Sequence, residues 1–245
     1  MTATDIRSVA RIERSEAPGL AAEEYQRLAA LAAELSPDDW SRPTPDCPEW
    51  TVRDVLAHVA GSMAGTSLRE GARQRKLAGH RSKSSGRTFL DEMNELHIED
   101  RARRNDAEIA IELQDRIRSA VNARRRVPGP LRRAPIPNTD GLTLAQVVDV
   151  ILTRDVWMHR VDVCRATDRQ PELTAEHDGR LVADVVRDWA DRHGQPFTLR
   201  LSGTAGGMFM RAGAGPDLDL DAVEFCRILS GRLPGRGLLA TQVVF

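Results

Sequence analysis

Residues 142–167, LTLAQVVDVILTRDVWMHRVDVCRAT, decide the architecture. Neither glycine nor proline interrupts the run, and at about 100° per residue Leu144, Val148, Ile151 and Leu152 fall on one stripe of a long helix. Asp155, His159 and Asp162 fall inside that stripe, so ionisable groups point where a core is expected. An ionised carboxylate buried without a partner costs several kcal/mol or more, so a cation or a dense hydrogen-bond network must meet it. The spacing D-x-x-x-H is one helical turn, which sets a carboxylate oxygen beside an imidazole nitrogen.

Working outward, Leu20, Leu28, Leu31 and Leu35 repeat at helical spacing from Gly19 to Leu35 and stop at Ser36-Pro37. A proline- and tryptophan-rich loop follows. Thr51, with Asp54 three residues on, opens the next helix in a capping-box pattern. On that helix Val52, Val55, Leu56, Val59 and Met63 form the apolar stripe, and His58 lies at its margin. His58, Asp155 and His159 together are the donor set of an open metal site with three protein ligands, with zinc the first choice and other divalent ions open. A buried carboxylate–imidazole pair beside an interfacial histidine is the competing reading of the same residues.

Residues 71–87 are basic and contain Gly and Ser, and are read as a mobile loop that gates a pocket or docks a partner. Helical stretches are expected over 88–104 and 106–126, followed by a Pro-rich turn over 127–141. Beyond Asp168 the texture changes. A helix over 175–193 stops at Gly194, the runs FTLRLSG, GMFMRAG and the terminal LLATQVVF alternate like strands, and DLDLDAVEFCRILSGR reads as a helix begun by aspartates and closed at Gly231. The expected fold class is α+β, with residues 1–168 an all-α domain and 169–245 a small α+β domain.

The 245 residues carry 35 Lys and Arg against 36 Asp and Glu, so no whole-chain field draws nucleic acid or anionic membrane. The odd cysteines Cys47, Cys164 and Cys226 lack CxxC spacing, which argues against a disulfide framework and for a reducing cytoplasm. No signal-peptide core or membrane-length apolar run is found. Cys47 is read as a small buried thiol against Trp50, and Trp40, Trp50 and Trp157 as bundle packing. His80 and His97 lack a second ligand at metal spacing. Arg101 and Arg104, which share a helix with Asn94, are candidates for a carboxylate clamp, but they, Arg124 to Arg126, Arg132 and Arg133 are read as solvated.

Four segments together resemble the maleylpyruvate isomerase family of mycothiol-dependent enzymes: DWSRPTPDCPEWTVRDVLAHVAGS (39–62), MNELHIEDRA (93–102), VILTRDVWMHRVDVCRATDR (150–169) and DAVEFCRILSGR (221–232). The resemblance implies a DinB-like four-helix bundle followed by a small sterol-carrier-like domain. It also implies a divalent metal on His58, Asp155 and His159, with Asp162 orienting an imidazole from behind. The acid is aspartate here where glutamate also occurs in the family, a shorter reach. The implied thiol is mycothiol, which adds to the double bond of a cis diacid, permits rotation and is then eliminated; in transferase relatives it stays on a small electrophile. The alternative from another class is a non-catalytic carrier, with a structural metal in the bundle and an apolar ligand in the C-terminal domain.

Overall fold

The computed structural model of the chain describes residues 3–136 and 141–245, so the Pro-rich turn expected over 127–141 lies partly outside them. Two compact units emerge, one of Arg14–Gln170 and one of Met1–Glu13 with Pro171–Phe245. The first is helical: α1 (Ala17–Ala33), α2 (Val52–Gly65), α3 (Leu68–Ser85), α4 (Phe89–Glu99), α5 (Asp106–Arg125) and α6 (Leu152–Ala166). Its core is filled by four of them. Tyr25 and Leu28 of α1, Leu56, Val59 and Met63 of α2, Ile109 and Leu113 of α5, and Val156 and Val163 of α6 are all buried in one cluster.

The helix starts follow from local chemistry. Thr51 with Asp54, Thr88 with Asp91 and Asn105 with Glu108 each close a reciprocal capping box, which satisfies two orphan donors at the first turn. Between α1 and α2 the loop forms the short ribbon Pro43–Thr44 against Cys47–Thr51, and it delivers Cys47 and Trp50 to the start of α2.

The expected mobile loop over 71–87 is instead helix α3, and the reasons are physical. Ser67 caps its first turn, and Gly86 ends it at φ 76°. Gly71, Gln74 and Ala78 recur at helical spacing and are buried. The small residues let α3 lie close to α2: a methyl group at Gly71 would overlap the Gly65 carbonyl. The basic residues face acids rather than solvent alone, with Arg81 on Glu99 at 2.8 Å, Arg87 on Glu95 at 3.2 Å, and Arg73 on both Glu70 and Asp100.

The long helix over 142–167 is built in pieces. A cap turn, Leu144–Gln146, leads into a π-helical turn, Val147–Ile151, and only then into α6. The wider turn shifts the phase of everything after it, so Leu152 is only half-buried while Val156, Trp157 and Val163 fill the interior; Leu144 before the turn and Ile151 within it are half-buried as well. Arginines read as solvated also turn inward. Arg124 donates to the Val148 carbonyl and, at 2.7 Å, to Thr153 Oγ1, while Arg132 pairs with Asp149. Each is more than nine-tenths buried because a carbonyl, hydroxyl or carboxylate receives its charge.

The second unit is a four-stranded sheet with α7 (Asp178–His193) and α8 (Ala222–Leu229). Strand order is Thr4–Asp5, Gly207–Arg211, Phe197–Ser202, Asp217–Asp221; the two central strands are antiparallel and each edge strand is parallel to its neighbour. The first strand brings the N-terminal segment, expected with the bundle, into this unit. Of the aspartates expected to begin a helix, 217 and 219 lie in a strand and only Asp221 does so. They alternate along an edge strand, with Leu218 and Leu220 between them, and Asp221 then caps α8. The terminal LLATQVVF forms no strand; it holds a 3-10 turn, Gly237–Ala240, whose Leu238 carbonyl accepts from Trp189 Nε1 at 2.9 Å.

Candidate metal centre

His58 comes from the middle of α2, Asp155 and His159 from the first two turns of α6. The two helices bring them together. His58 Nε2 lies 3.5 Å from Asp155 Oδ2, and His159 Nε2 lies 3.4 Å from Asp155 Oδ1. One donor atom from each of the three falls within 4.8 Å of the others. The imidazoles are 5% exposed. Asp155 keeps 24% of its side-chain surface open, so the cluster is reached from the carboxylate side.

Asp162 is completely buried one turn further along α6, and its Oδ2 accepts from His159 Nδ1 at 2.9 Å. A carboxylate can only accept, so His159 Nδ1 carries a hydrogen, and Nε2 is turned toward Asp155. Trp50 stacks obliquely over both rings, its centroid 5.1 Å from His58 and 5.9 Å from His159, and so walls one side of the cluster.

The protonation balance is set by burial against these charges. Burial pulls His159 down, but Asp155 and Asp162 outweigh it and push the imidazole up to about 9. Burial would raise Asp155, yet the two histidines hold it well below the usual carboxylate range. His58 is lowered, burial outweighing its bond to Asp155. Two imidazole nitrogens and a carboxylate around one open position form a donor set that suits zinc or a similar divalent ion.

Residues 21–164 match the family model described as the mycothiol maleylpyruvate isomerase N-terminal domain, a span of more than half the chain. The chain belongs to the mycothiol maleylpyruvate isomerase family. Two solved structures share its fold: the crystal structure of the mycothiol-dependent maleylpyruvate isomerase, at 14% identity and TM-score 0.57, and that of a histidine-to-alanine mutant, at 13% and 0.56. Each comparison covers 94% of this chain and 92% of the other. No curated protein sequence matches.

The stretch that matches the mycothiol maleylpyruvate isomerase model holds every residue of the cluster, including several that the sequence reading passed over. His97 is not a surface or stray interfacial group: it is buried on α4, and its Nδ1 lies 3.4 Å from His58 Nδ1. Burial, then the nearby His58 and Arg101, push its pKa down to about 3. Cys47 is half-buried rather than buried, and its Sγ lies 3.8 Å from Asp162 Oδ2, so a base does stand beside it. Arg101 is 4% exposed, not solvated; it meets Glu112 with two nitrogens at 2.7 and 2.9 Å and donates to the carbonyls of His97 and Ala60. Arg104 stays more exposed but reaches the same Glu112 at 2.9 Å. These groups come from a strand, a helix and the turn after it, with no shared periodicity, so spacing alone does not join them.

Proposed function

We propose that this chain is a divalent-metal-dependent enzyme with mycothiol as its thiol, catalysing cis–trans isomerisation of a small unsaturated diacid of the maleylpyruvate type. The observation that carries the reading is the convergence of His58, Asp155 and His159 within 4.8 Å at a position open on one side. These three would hold the metal, with zinc the first choice, and Asp162 would orient His159 from behind. A divalent cation there supplies a lowered thiol pKa and so a nucleophilic sulfur near neutral pH.

The chain's own residues supply orientation and shelter. Asp162 keeps the His159 proton on Nδ1, Trp50 covers the histidine faces, and the open flank of Asp155 is where a small ligand enters. Family membership and the shared fold support the isomerase over other thiol chemistry. A cytoplasmic setting with a low-molecular-weight thiol belongs to the same proposal. No helix among the described residues is long and apolar enough to cross a membrane.

The test is a coupled assay with zinc-loaded protein, mycothiol and maleylpyruvate, run beside the His159→Ala variant. Isomerisation that needs the thiol and falls to background in the variant is the expected result. Turnover without thiol, or an unaffected variant, would overturn the proposal. A stable thiol adduct of a small electrophile, formed in place of the isomer, would move the assignment to S-transfer.

A further inference from the structure

His159 takes its orientation from a carboxylate. His58 takes its orientation from a longer chain of contacts that begins at a main-chain carbonyl. Gln74 Nε2 on α3 donates to the Gly61 carbonyl of α2 at 3.2 Å. Gln74 Oε1 lies 3.4 Å from His97 Nε2 on α4, and His97 Nδ1 lies 3.4 Å from His58 Nδ1. All three side chains are at most 5% exposed.

Where a cation takes the place of the proton on His58 Nε2, the direction of every proton in this chain follows from its Gly61 end. A carbonyl oxygen only accepts, so the nitrogen of the Gln74 amide must face Gly61. The carboxylate of Glu70, held ionised first by Arg73, also takes a hydrogen bond from the Gln74 side chain, which fixes the same orientation. The amide oxygen therefore faces His97 and can only accept, so His97 Nε2 carries the hydrogen. A neutral imidazole has one N–H, which leaves His97 Nδ1 as a lone pair. Facing that lone pair, His58 Nδ1 donates, while the Asp155 carboxylate 3.5 Å from His58 Nε2 is itself an acceptor, so this direction holds where a cation replaces the proton on Nε2.

We propose that Gln74 and His97 are positioning residues, a buried relay that receives the His58 Nδ1 hydrogen and so holds His58 Nε2 toward a cation beside Asp155 and His159. The backbone is shaped for this relay. A methyl group at Gly61 would overlap Cβ and Cγ of His97, and one at Gly65 would overlap Gln74 Oε1, so two glycines one turn apart on α2 admit the two side chains. Arg101 clamps the far side by donating to the His97 carbonyl at 3.0 Å and the Ala60 carbonyl at 3.1 Å.

The inference rests on the metal reading of this site, and its test separates the two. In zinc-loaded, full-length chain carrying ¹⁵N-labelled histidine, imidazole shifts are expected to place the hydrogen of His58 on Nδ1 and that of His97 on Nε2. His97 protonated on Nδ1 in that state would overturn the relay and leave the metal reading standing; a wild-type chain without zinc affinity would overturn the metal reading and the relay with it. By chelator competition, His97→Leu is expected to bind zinc about 10–100-fold more weakly, the usual loss when an outer partner of a ligand is removed. His97→Asn, whose amide oxygen can still accept from His58 Nδ1, is expected to recover most of the affinity. Gln74→Met keeps His97 but removes the acceptor of its Nε2 hydrogen, so zinc affinity about tenfold below wild type is expected; it also serves where His97→Leu fails to fold. Zinc affinity equal to wild type in His97→Leu, or in Gln74→Met, would overturn the proposal.

Discussion

Asp162 and His97 stand behind different histidines and act by the same rule: a ring nitrogen turned toward a fixed acceptor leaves the other nitrogen to do the chemistry. Replacing Asp162 with Ala removes the acceptor of the His159 N–H, and zinc affinity is expected to fall about 10–100-fold, while Asn, which keeps an oxygen, loses less. Chelator competition reads both, and an Ala variant with wild-type affinity would contradict the account. At this scale the sequence was legible where one helix carried the signal. Asp155, His159 and Asp162 share a face because helical turns repeat every 3.6 residues, and the buried carboxylates demanded partners. Gln74 and His97 share no period with them, and their meeting depends on two glycines whose role shows only when three helices are packed. Arg101 and Arg124 depart from the solvated reading usual for arginine because carboxylate, hydroxyl and carbonyl acceptors on neighbouring elements receive them.

Helices α2, α3 and α4 form a packed set whose spacing is fixed by small residues on α2. Gly61→Ala is expected to destabilise the fold by about 1–3 kcal/mol, the usual cost of forcing extra volume into a tight contact, because the new methyl meets His97. Gly19→Ala, in α1 with open space around it, is the control and is expected to be neutral or to stabilise by about 0.4–1 kcal/mol. Urea unfolding of the two variants separates them; equal stability would show that the α2–α4 approach is looser than described. Element by element, capped helices were legible because Thr51, Thr88 and Asn105 announce themselves locally. Helix α3 was not, since its charge suggested solvent and its partners Glu95, Glu99 and Asp100 sit on the next helix. The π-helical turn before α6 was also invisible to a wheel drawn at constant pitch.

Across the whole molecule the charges nearly cancel, so its pH response comes from particular buried groups rather than from a net field. Glu112 is the clearest such group outside the candidate site. Burial works to raise its pKa, but hydrogen bonds and charge from Arg101, then Arg116, outweigh burial and hold it below the ordinary 4.5. A carboxyl whose folded pKa is depressed adds stability above its unfolded pKa, and that stability is lost as pH falls through the folded value. Wild-type stability is therefore expected to drop below about pH 4.5 more steeply than that of Glu112→Gln, which lacks this titration. At neutral pH the variant should be less stable by about 3–5 kcal/mol, since it leaves the Arg101 charge buried without its counter-ion. Denaturant melts across the pH range check both, and parallel pH curves would contradict the assignment. The α+β class and the helical character of the first part were legible from periodicity; the edge strand at Thr4–Asp5 was not, because a two-residue strand leaves no pattern. The most direct test of the central claim is metal analysis of purified wild-type and His159→Ala protein after exposure to zinc and removal of excess. The account predicts about one tightly held ion per wild-type chain and none in the variant; equal content in the two would contradict it.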